Sequence, residues 1–108
     1  MNIEEYANAI RPMDKYPDSK KPEVYALGIS GEAGEVADKV KKVIRDNNDE
    51  FTDERKRQIA LELGDVLWYA ASLAYDLGYT LDEVAQMNLD KLASRMQRDK
   101  IHGSGDER

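Results

Sequence analysis

Two pairs of carboxylates with the same spacing stand near the middle of this 108-residue chain. The first pair is Glu32 and Glu35, and the second is Glu62 and Asp65. In each pair a glycine lies between the acids and a valine follows the second one. Converging carboxylates repel one another, and hard divalent cations prefer oxygen ligands. The pattern therefore predicts a site for Mg²⁺, with Mn²⁺ as a substitute. The alternative is that these acids are solvated surface groups on helix edges.

The four acids belong to two predicted amphipathic helices, over residues 23–45 and 53–77. Apolar residues recur at helical spacing along both helices. The stripes are Ala33, Val36, Ala37, Val40, Val43 and Ile44 in the first helix, and Ile59, Leu63, Val66, Ala70, Leu73 and Leu77 in the second. The remaining segments are predicted helices over 3–11 and 81–98, a loop with a candidate lid role over 12–22, and a flexible tail over 103–108. Because no segment alternates long enough for a strand, we expect a single all-α domain spanning residues 1–108.

The register of the two long helices strengthens the prediction of a shared site. A polar segment at 46–50 interrupts the pattern and predicts a turn between Asn48 and Asp49. In an antiparallel hairpin about that turn, Glu32 would lie level with Asp65 and Glu35 level with Glu62. We expect Gly34 and Gly64 to let the two backbones approach closely there.

The fourth predicted helix carries candidate substrate-binding residues. Asn88, Lys91 and Arg95 share one face, and Asn88 falls within an apolar stripe, so we expect it to be partly buried. Lys91 and Arg95 suit phosphate oxygens, although a basic helix end is also favoured by the helix dipole. Tyr69 follows Asp65 by one turn and is expected to reach a ligand, unless it is a core tyrosine.

Composition excludes several other functions. The chain has 16 basic and 22 acidic residues, which gives a net charge of −6, unfavourable for binding nucleic-acid polymers. It has no cysteine, and His102 is its single histidine, so disulfides, Cys-type zinc sites and multi-histidine sites within one chain are excluded. No apolar stretch is long enough to span a membrane, and the N-terminus lacks an apolar signal core. We therefore expect a cytoplasmic protein.

Assembly is predicted from the small size of the chain. Short connections between long amphipathic helices are typical of antiparallel four-helix bundles. Helices with so few residues bury only a small core, so we expect a low free energy of unfolding for a single chain. Trp68, Leu61 and Tyr75 are expected to point off the main stripes, with Trp68 directed away from the carboxylates. We therefore expect a homodimer or a dimer of dimers, with the metal sites close to the interface.

Taken in order, these residues resemble the MazG-like family of all-α nucleoside triphosphate pyrophosphohydrolases. Residues 27–36 resemble the first motif of the family, and residues 62–69 resemble the second. The spacing of Asn88, Lys91 and Arg95 resembles the third motif, and residues 103–108 resemble the ending of short, single-domain members.

This resemblance implies Mg²⁺-dependent hydrolysis of a nucleoside triphosphate to a monophosphate and pyrophosphate, as in cleansing of the nucleotide pool. The implied metal ligands are Glu32, Glu35, Glu62 and Asp65, and the implied substrate-binding residues are Tyr69, Asn88, Lys91 and Arg95. Glu35 is the candidate for taking the proton of the attacking water. Two alternatives remain: an enzyme acting on phosphoribosyl-ATP in histidine synthesis, and a non-enzymatic helical bundle that binds a partner.

Overall fold

The computed structural model describes residues 1–99 and 101–107 and contains four α-helices. These are α1 (Ile3–Ile10), α2 (Glu23–Asp46), α3 (Asp53–Asp76) and α4 (Leu81–Gln97). The described part of the chain contains no strand, and each predicted helix end lies within about one residue of the observed one. The all-α prediction is therefore confirmed. None of the helices in the described ranges is both long and apolar enough to cross a membrane.

Local signals in the sequence explain where the helices begin and end. Asn2 and Thr52 each accept a hydrogen bond from the backbone N–H three residues further on, which caps α1 and α3. Thr80 and Glu83 form a reciprocal capping box at the start of α4. Gly78, with a φ of +88°, takes the left-handed conformation that ends α3.

Helices α2 and α3 form the long antiparallel hairpin that carries the carboxylates. Each contains 24 residues, which corresponds to a length of about 36 Å. Asn48 and Asp49 both have positive φ, so the chain reverses at the predicted turn. Arg55 donates from Nε and Nη2 to Oδ1 of Asn47, at 3.0 and 2.8 Å, and so closes the connection. Gly28 packs against Tyr69 across the hairpin, which is the register that the sequence predicts.

The hydrophobic core is small and lies at one end of the hairpin. Ile10 of α1, Ala71 of α3 and Leu81 of α4 form its buried centre. The partly buried residues packed around it are Ile3, Tyr6, Ala7 and Trp68. Tyr25 and Val43 on α2 are fully buried as well. This end of the molecule fixes α1 and α4 against α3.

Most of α4 is exposed, contrary to the sequence prediction. Between residues 82 and 94 only Lys91 is half-buried, and every other residue is exposed. The predicted burial of Asn88 is therefore wrong for a single chain, because nothing in the described residues covers this stretch of α4. The radius of gyration is 16.7 Å, against about 13 Å for a compact domain of this length.

The close approach predicted at Gly34 and Gly64 is also wrong. A Cβ atom added at either position would meet nothing within 4 Å, because both glycines lie on the open side of the hairpin. The tight contact is at Gly28 instead, where a Cβ would lie 2.3 Å from Cδ1 of Tyr69. Only glycine lets the ring of Tyr69 lie against α2 at this level.

We expect Gly28→Ala to lower the free energy of unfolding by about 1–3 kcal/mol, because the ring of Tyr69 must be displaced. Gly31→Ala on the same helix is the matched control, since a Cβ there meets nothing within 4 Å. The control should gain up to about 1 kcal/mol from its higher helix propensity. Thermal and urea unfolding of both variants measure the difference. Equal stability of the two variants would contradict tight packing between Gly28 and Tyr69.

Candidate functional site

Three carboxylates from the two long helices converge on one side of the hairpin. Glu32 of α2 and Glu62 and Asp65 of α3 each offer one oxygen, and these three oxygens all lie within 4.8 Å of one another. Glu32 and Glu62 are half-buried, whereas Asp65 is exposed. Glu35 is exposed on α2 and does not belong to this cluster. The structure thus brings together three of the four predicted acids.

The electrostatics of this carboxylate cluster favour a bound cation. Burial and the neighbouring charges of Asp65, Glu62 and Glu35 raise the pKa of Glu32 above its usual value. Lys39 Nζ lies 4.0 Å from Oε1 of Glu62, at the limit of an ion pair, and offsets the negative charge of the cluster only weakly. Convergent carboxylate oxygens with excess negative charge are a donor set that suits a hard divalent cation such as Mg²⁺. The residues present therefore fit the metal that the sequence predicts.

An open cleft of about 510 Å³ adjoins the carboxylate cluster, and three aromatic side chains contribute to its lining. Its lining residues are Met13, Lys15, Tyr16, Glu32, Asp65, Trp68 and Tyr69. The rings of Trp68 and Tyr69 meet edge to face with their centroids 5.0 Å apart. The hydroxyls of Tyr16 and Tyr69 are 2.9 Å apart and share a hydrogen bond. The cleft therefore combines flat apolar surfaces with acidic groups at one side.

Tyr69 presents a neutral hydroxyl to this cleft. Its hydrogen bond with Tyr16, together with burial and the nearby charges of Glu32 and Asp65, raises its pKa to about 12. It therefore remains protonated at neutral pH and can both donate and accept a hydrogen bond. The prediction that Tyr69 lies on the carboxylate side of α3 agrees with this placement; its contact with a ligand stays a prediction.

The loop before α2 supplies the outer wall of the cleft and is held in place by Asp14. The carboxylate of Asp14 accepts a hydrogen bond from the hydroxyl of the buried Tyr25 and another, at 3.0 Å, from the backbone N–H of Tyr16. Lys21 Nζ lies 3.4 Å from the same carboxylate. Burial opposes ionisation of Asp14, but these bonds outweigh it and hold its pKa below the usual value. The predicted lid role of this loop stays a prediction.

Two features of the cleft differ from the sequence analysis. Trp68 was expected to point away from the acids, yet it lines the same cleft as Glu32 and Asp65. Its position three residues after Asp65 places the two side chains on neighbouring rows of α3, and this spacing was a usable signal. Tyr16 was missed, because its position depends on the bonds of Asp14 and no periodic pattern indicates them.

The predicted residues on α4 do not reach the carboxylate cleft of their own chain. Asn88, Lys91 and Arg95 are absent from its lining, and Asn88 is exposed. Lys91 and Arg95 instead contact Asp106 near the C-terminus. Their proposed contact with a substrate therefore requires either a second chain or a movement of α4.

Comparisons with known proteins agree with the geometry. The family model of the MazG nucleotide pyrophosphohydrolase domain matches residues 20–98, which include the whole carboxylate cluster. The Gene 37 protein of Mycobacterium phage L5 is 51% identical over 82 residues, which cover 76% of this chain and 72% of the phage protein. No solved structure matches this chain. Since the family match extends over most of the sequence, the chain belongs to the MazG nucleotide pyrophosphohydrolase domain family.

Proposed function

We propose that this protein hydrolyses nucleoside triphosphates, with ribose or deoxyribose, to a nucleoside monophosphate and pyrophosphate in a Mg²⁺-dependent reaction. The observation that carries the proposal is the convergence of Glu32, Glu62 and Asp65 beside an aromatic cleft. Such an enzyme would serve to remove unwanted nucleotides from the cellular pool. Membership of the family supports a nucleotide pyrophosphohydrolase; the substrate and the metal belong to the proposal.

The carboxylate cluster would hold the metal, and Mn²⁺ should substitute for Mg²⁺. When bound, the ion would polarise phosphoryl oxygens and lower the pKa of a water molecule for attack at the α-phosphorus. Glu35 lies one turn beyond Glu32 on α2, and its exposed carboxylate is the candidate for taking up the proton of that water. It is also the fourth candidate ligand, which would require its side chain to turn toward the cluster.

The aromatic walls of the cleft would bind the nucleoside. A volume of about 510 Å³ lies within the range of small-molecule sites, and flat rings offer stacking surface to any base. The neutral hydroxyl of Tyr69 can bond to the sugar or to the base as a donor or an acceptor. Tyr16 fixes that hydroxyl from the loop side, at 2.9 Å.

A second copy of the chain would complete this site. Asn88, Lys91 and Arg95 do not line the cleft of their own chain, although two of them are cations suited to a phosphate chain. In a homodimer or dimer of dimers, the exposed face of α4 would pack on the hairpin of a partner and bring these residues toward its cleft. Lys91 and Arg95 would then neutralise the departing pyrophosphate.

Pyrophosphate, and not orthophosphate, is the expected product. Canonical, deoxy and modified nucleoside triphosphates carrying label on the γ-phosphate should all be tested, with phosphoribosyl-ATP as a separate substrate. Release of the label as orthophosphate would contradict the assigned cleavage position. Turnover confined to phosphoribosyl-ATP would favour the histidine-synthesis alternative. The absence of Mg²⁺-dependent release from any nucleotide would favour a partner-binding bundle.

Lys91→Ala and Arg95→Ala are each expected to raise KM for a triphosphate on the order of tenfold, because each removes a charge-assisted contact. Binding of the monophosphate product should change much less, since it lacks the β and γ phosphates. Steady-state kinetics with product inhibition by monophosphate measure both effects. Lys56→Ala, at an exposed position early in α3, is the charge-matched control and should leave KM unchanged. Equal losses for triphosphate and monophosphate would contradict a role for these cations at the pyrophosphate end.

A further inference from the structure

We infer that the C-terminal turn formed by residues 103–106 is a positioning element that orients Arg95 and Lys91 for the phosphate chain of the substrate. The inference rests on the proposed function, because it assigns a purpose to the two cations of α4. Asp106 acts through these cations and does not touch the substrate. Its role is to hold their side chains before the substrate arrives.

Arg95 is buried by this turn although it lies on an exposed helix. It is 5% exposed, whereas the preceding residues 92–94 are all exposed. Its Nη2 donates to the backbone carbonyl of Asp106 at 2.5 Å and to that of Gly105 at 3.4 Å. Burying a guanidinium is costly unless its donors are bonded, so these carbonyls restrict Arg95 to one orientation. Its Nε is buried and has no acceptor among the described residues, so the carbonyls at Nη2 are the bonds that fix the guanidinium.

The conformation of the turn depends on glycine. Gly105 has a φ of +85° and Gly103 a φ of +132°, both in the left-handed region that other residues adopt at a cost. Gly105 directly precedes Asp106, so the conformation of Gly105 sets the direction of the two carbonyls that meet Arg95. A Cβ at Gly105 would meet nothing within 4 Å, so a substitution there alters the backbone conformation without a steric clash.

The Asp106 side chain links the second cation to the first. Its Oδ1 lies 3.2 Å from Lys91 Nζ and 3.6 Å from Arg95 Nη2. The carboxylate is 86% exposed, so it holds Lys91 Nζ at the surface, where the other hydrogens of the ammonium can bond to phosphate oxygens. The turn therefore keeps the two cations one helical turn apart and facing the same way, and a substrate need not displace Asp106.

The test compares substitutions that alter the conformation of the turn with substitutions that do not. Gly105→Ala should raise KM for a nucleoside triphosphate on the order of tenfold, with kcat changed much less, because the strained turn no longer orients Arg95. Gly105→Asn should keep KM near the wild-type value, since asparagine tolerates the left-handed conformation. Ser104→Ala, an exposed change within the same turn, is the matched control. Equal KM values for wild type and Gly105→Ala would overturn the inference.

Asp106→Asn tests the carboxylate without altering the backbone. It should raise KM by about two- to fivefold. Because the site is exposed, the variant should remain folded, and unfolding would not explain the change in KM. A fall in KM would show that Asp106 competes with phosphate, which would overturn the inference.

Titration calorimetry with Mg²⁺ and pyrophosphate separates this inference from the proposed reaction. Wild type and Ser104→Ala should bind pyrophosphate equally, and Gly105→Ala should bind it more weakly by a similar factor to its change in KM. If the wild type cleaved no nucleotide, the proposed function would fail, yet this binding series would still decide the role of the turn.

Discussion

The variants Glu32→Gln, Glu62→Gln and Asp65→Asn are each expected to lose Mg²⁺-dependent pyrophosphate release, on the order of a hundredfold or more in kcat. Each substitution keeps the size of the side chain but removes one of the charges that converge within 4.8 Å. The remaining oxygens bind a divalent cation less tightly, since the affinity of such a site depends on the number of charged ligands. Initial rates with Mg²⁺ and with Mn²⁺ measure the loss. Wild-type activity in excess chelator, or full activity in all three variants, would contradict the metal site.

Although these variants are expected to lose activity, they should make the metal-free protein as stable as the wild type or more stable. The pKa of Glu32 is raised in the folded state, chiefly by burial and then by its neighbouring acids, so its ionisation opposes folding at neutral pH. The stability of metal-free wild type should therefore fall as the pH rises through the interval between the usual glutamate pKa and the raised one. Glu32→Gln lacks this charge and should melt at the same or a higher temperature than wild type at neutral pH.

Addition of Mg²⁺ provides a readout that does not depend on turnover. A ligand that binds only the folded state raises the melting temperature, so the wild type should be stabilised by Mg²⁺ and the three variants much less. Glu35→Gln is the informative comparison, because Glu35 lies outside the carboxylate cluster. If it loses turnover but keeps the Mg²⁺-dependent shift, its role is to accept a proton. If it loses both, it is a ligand as well.

The sequence predicted the carboxylate cluster because that cluster depends on local rules. Helical periodicity and one turn between Asn48 and Asp49 are enough to place Glu32 opposite Asp65. The wall made by Tyr16 could not be predicted in the same way. Its position depends on Asp14 and Tyr25, which are distant from the helical stripes and meet through side-chain hydrogen bonds in an irregular loop.

The errors on α4 have a different physical cause. An apolar stripe predicts that a helix is covered, but it does not identify what covers it. Asn88 and its neighbours were expected to be buried within the chain, and they are exposed because no other described helix lies over them. The prediction of a close backbone approach at Gly34 and Gly64 is wrong for a related reason. A glycine reduces helix stability wherever it occurs, and this loss of stability alone does not reveal a close contact.

A homodimer is the expected state of this protein in solution, with a mass twice the 12.3 kDa of the chain. One chain leaves large apolar side chains exposed on both α3 and α4. Among them are Leu61, Leu63, Leu67, Met87, Leu89, Leu92 and Met96. So much exposed apolar surface on a small chain indicates an interface, and the high radius of gyration agrees with an element that packs outside its own chain. Light scattering at micromolar concentration measures the mass directly.

Leu89→Asp should weaken this dimer on the order of a hundredfold or more, because a buried leucine contributes about 1.5–3 kcal/mol in each of two chains. Leu89 is 61% exposed in the single chain, so the substitution should cost little unless a partner covers it. Ser94→Asp introduces the same side chain about 140° around α4 from Leu89, at an exposed position where Ser94 Oγ accepts a hydrogen bond from Arg98 Nε. The control should remain dimeric and active, whereas Leu89→Asp should lose activity on dilution together with its dimer. Because the proposed dimer brings Lys91 and Arg95 to the cleft of the partner, a stable monomer with full activity would contradict both the dimer and a site completed by the partner, while leaving the carboxylate cluster unaffected.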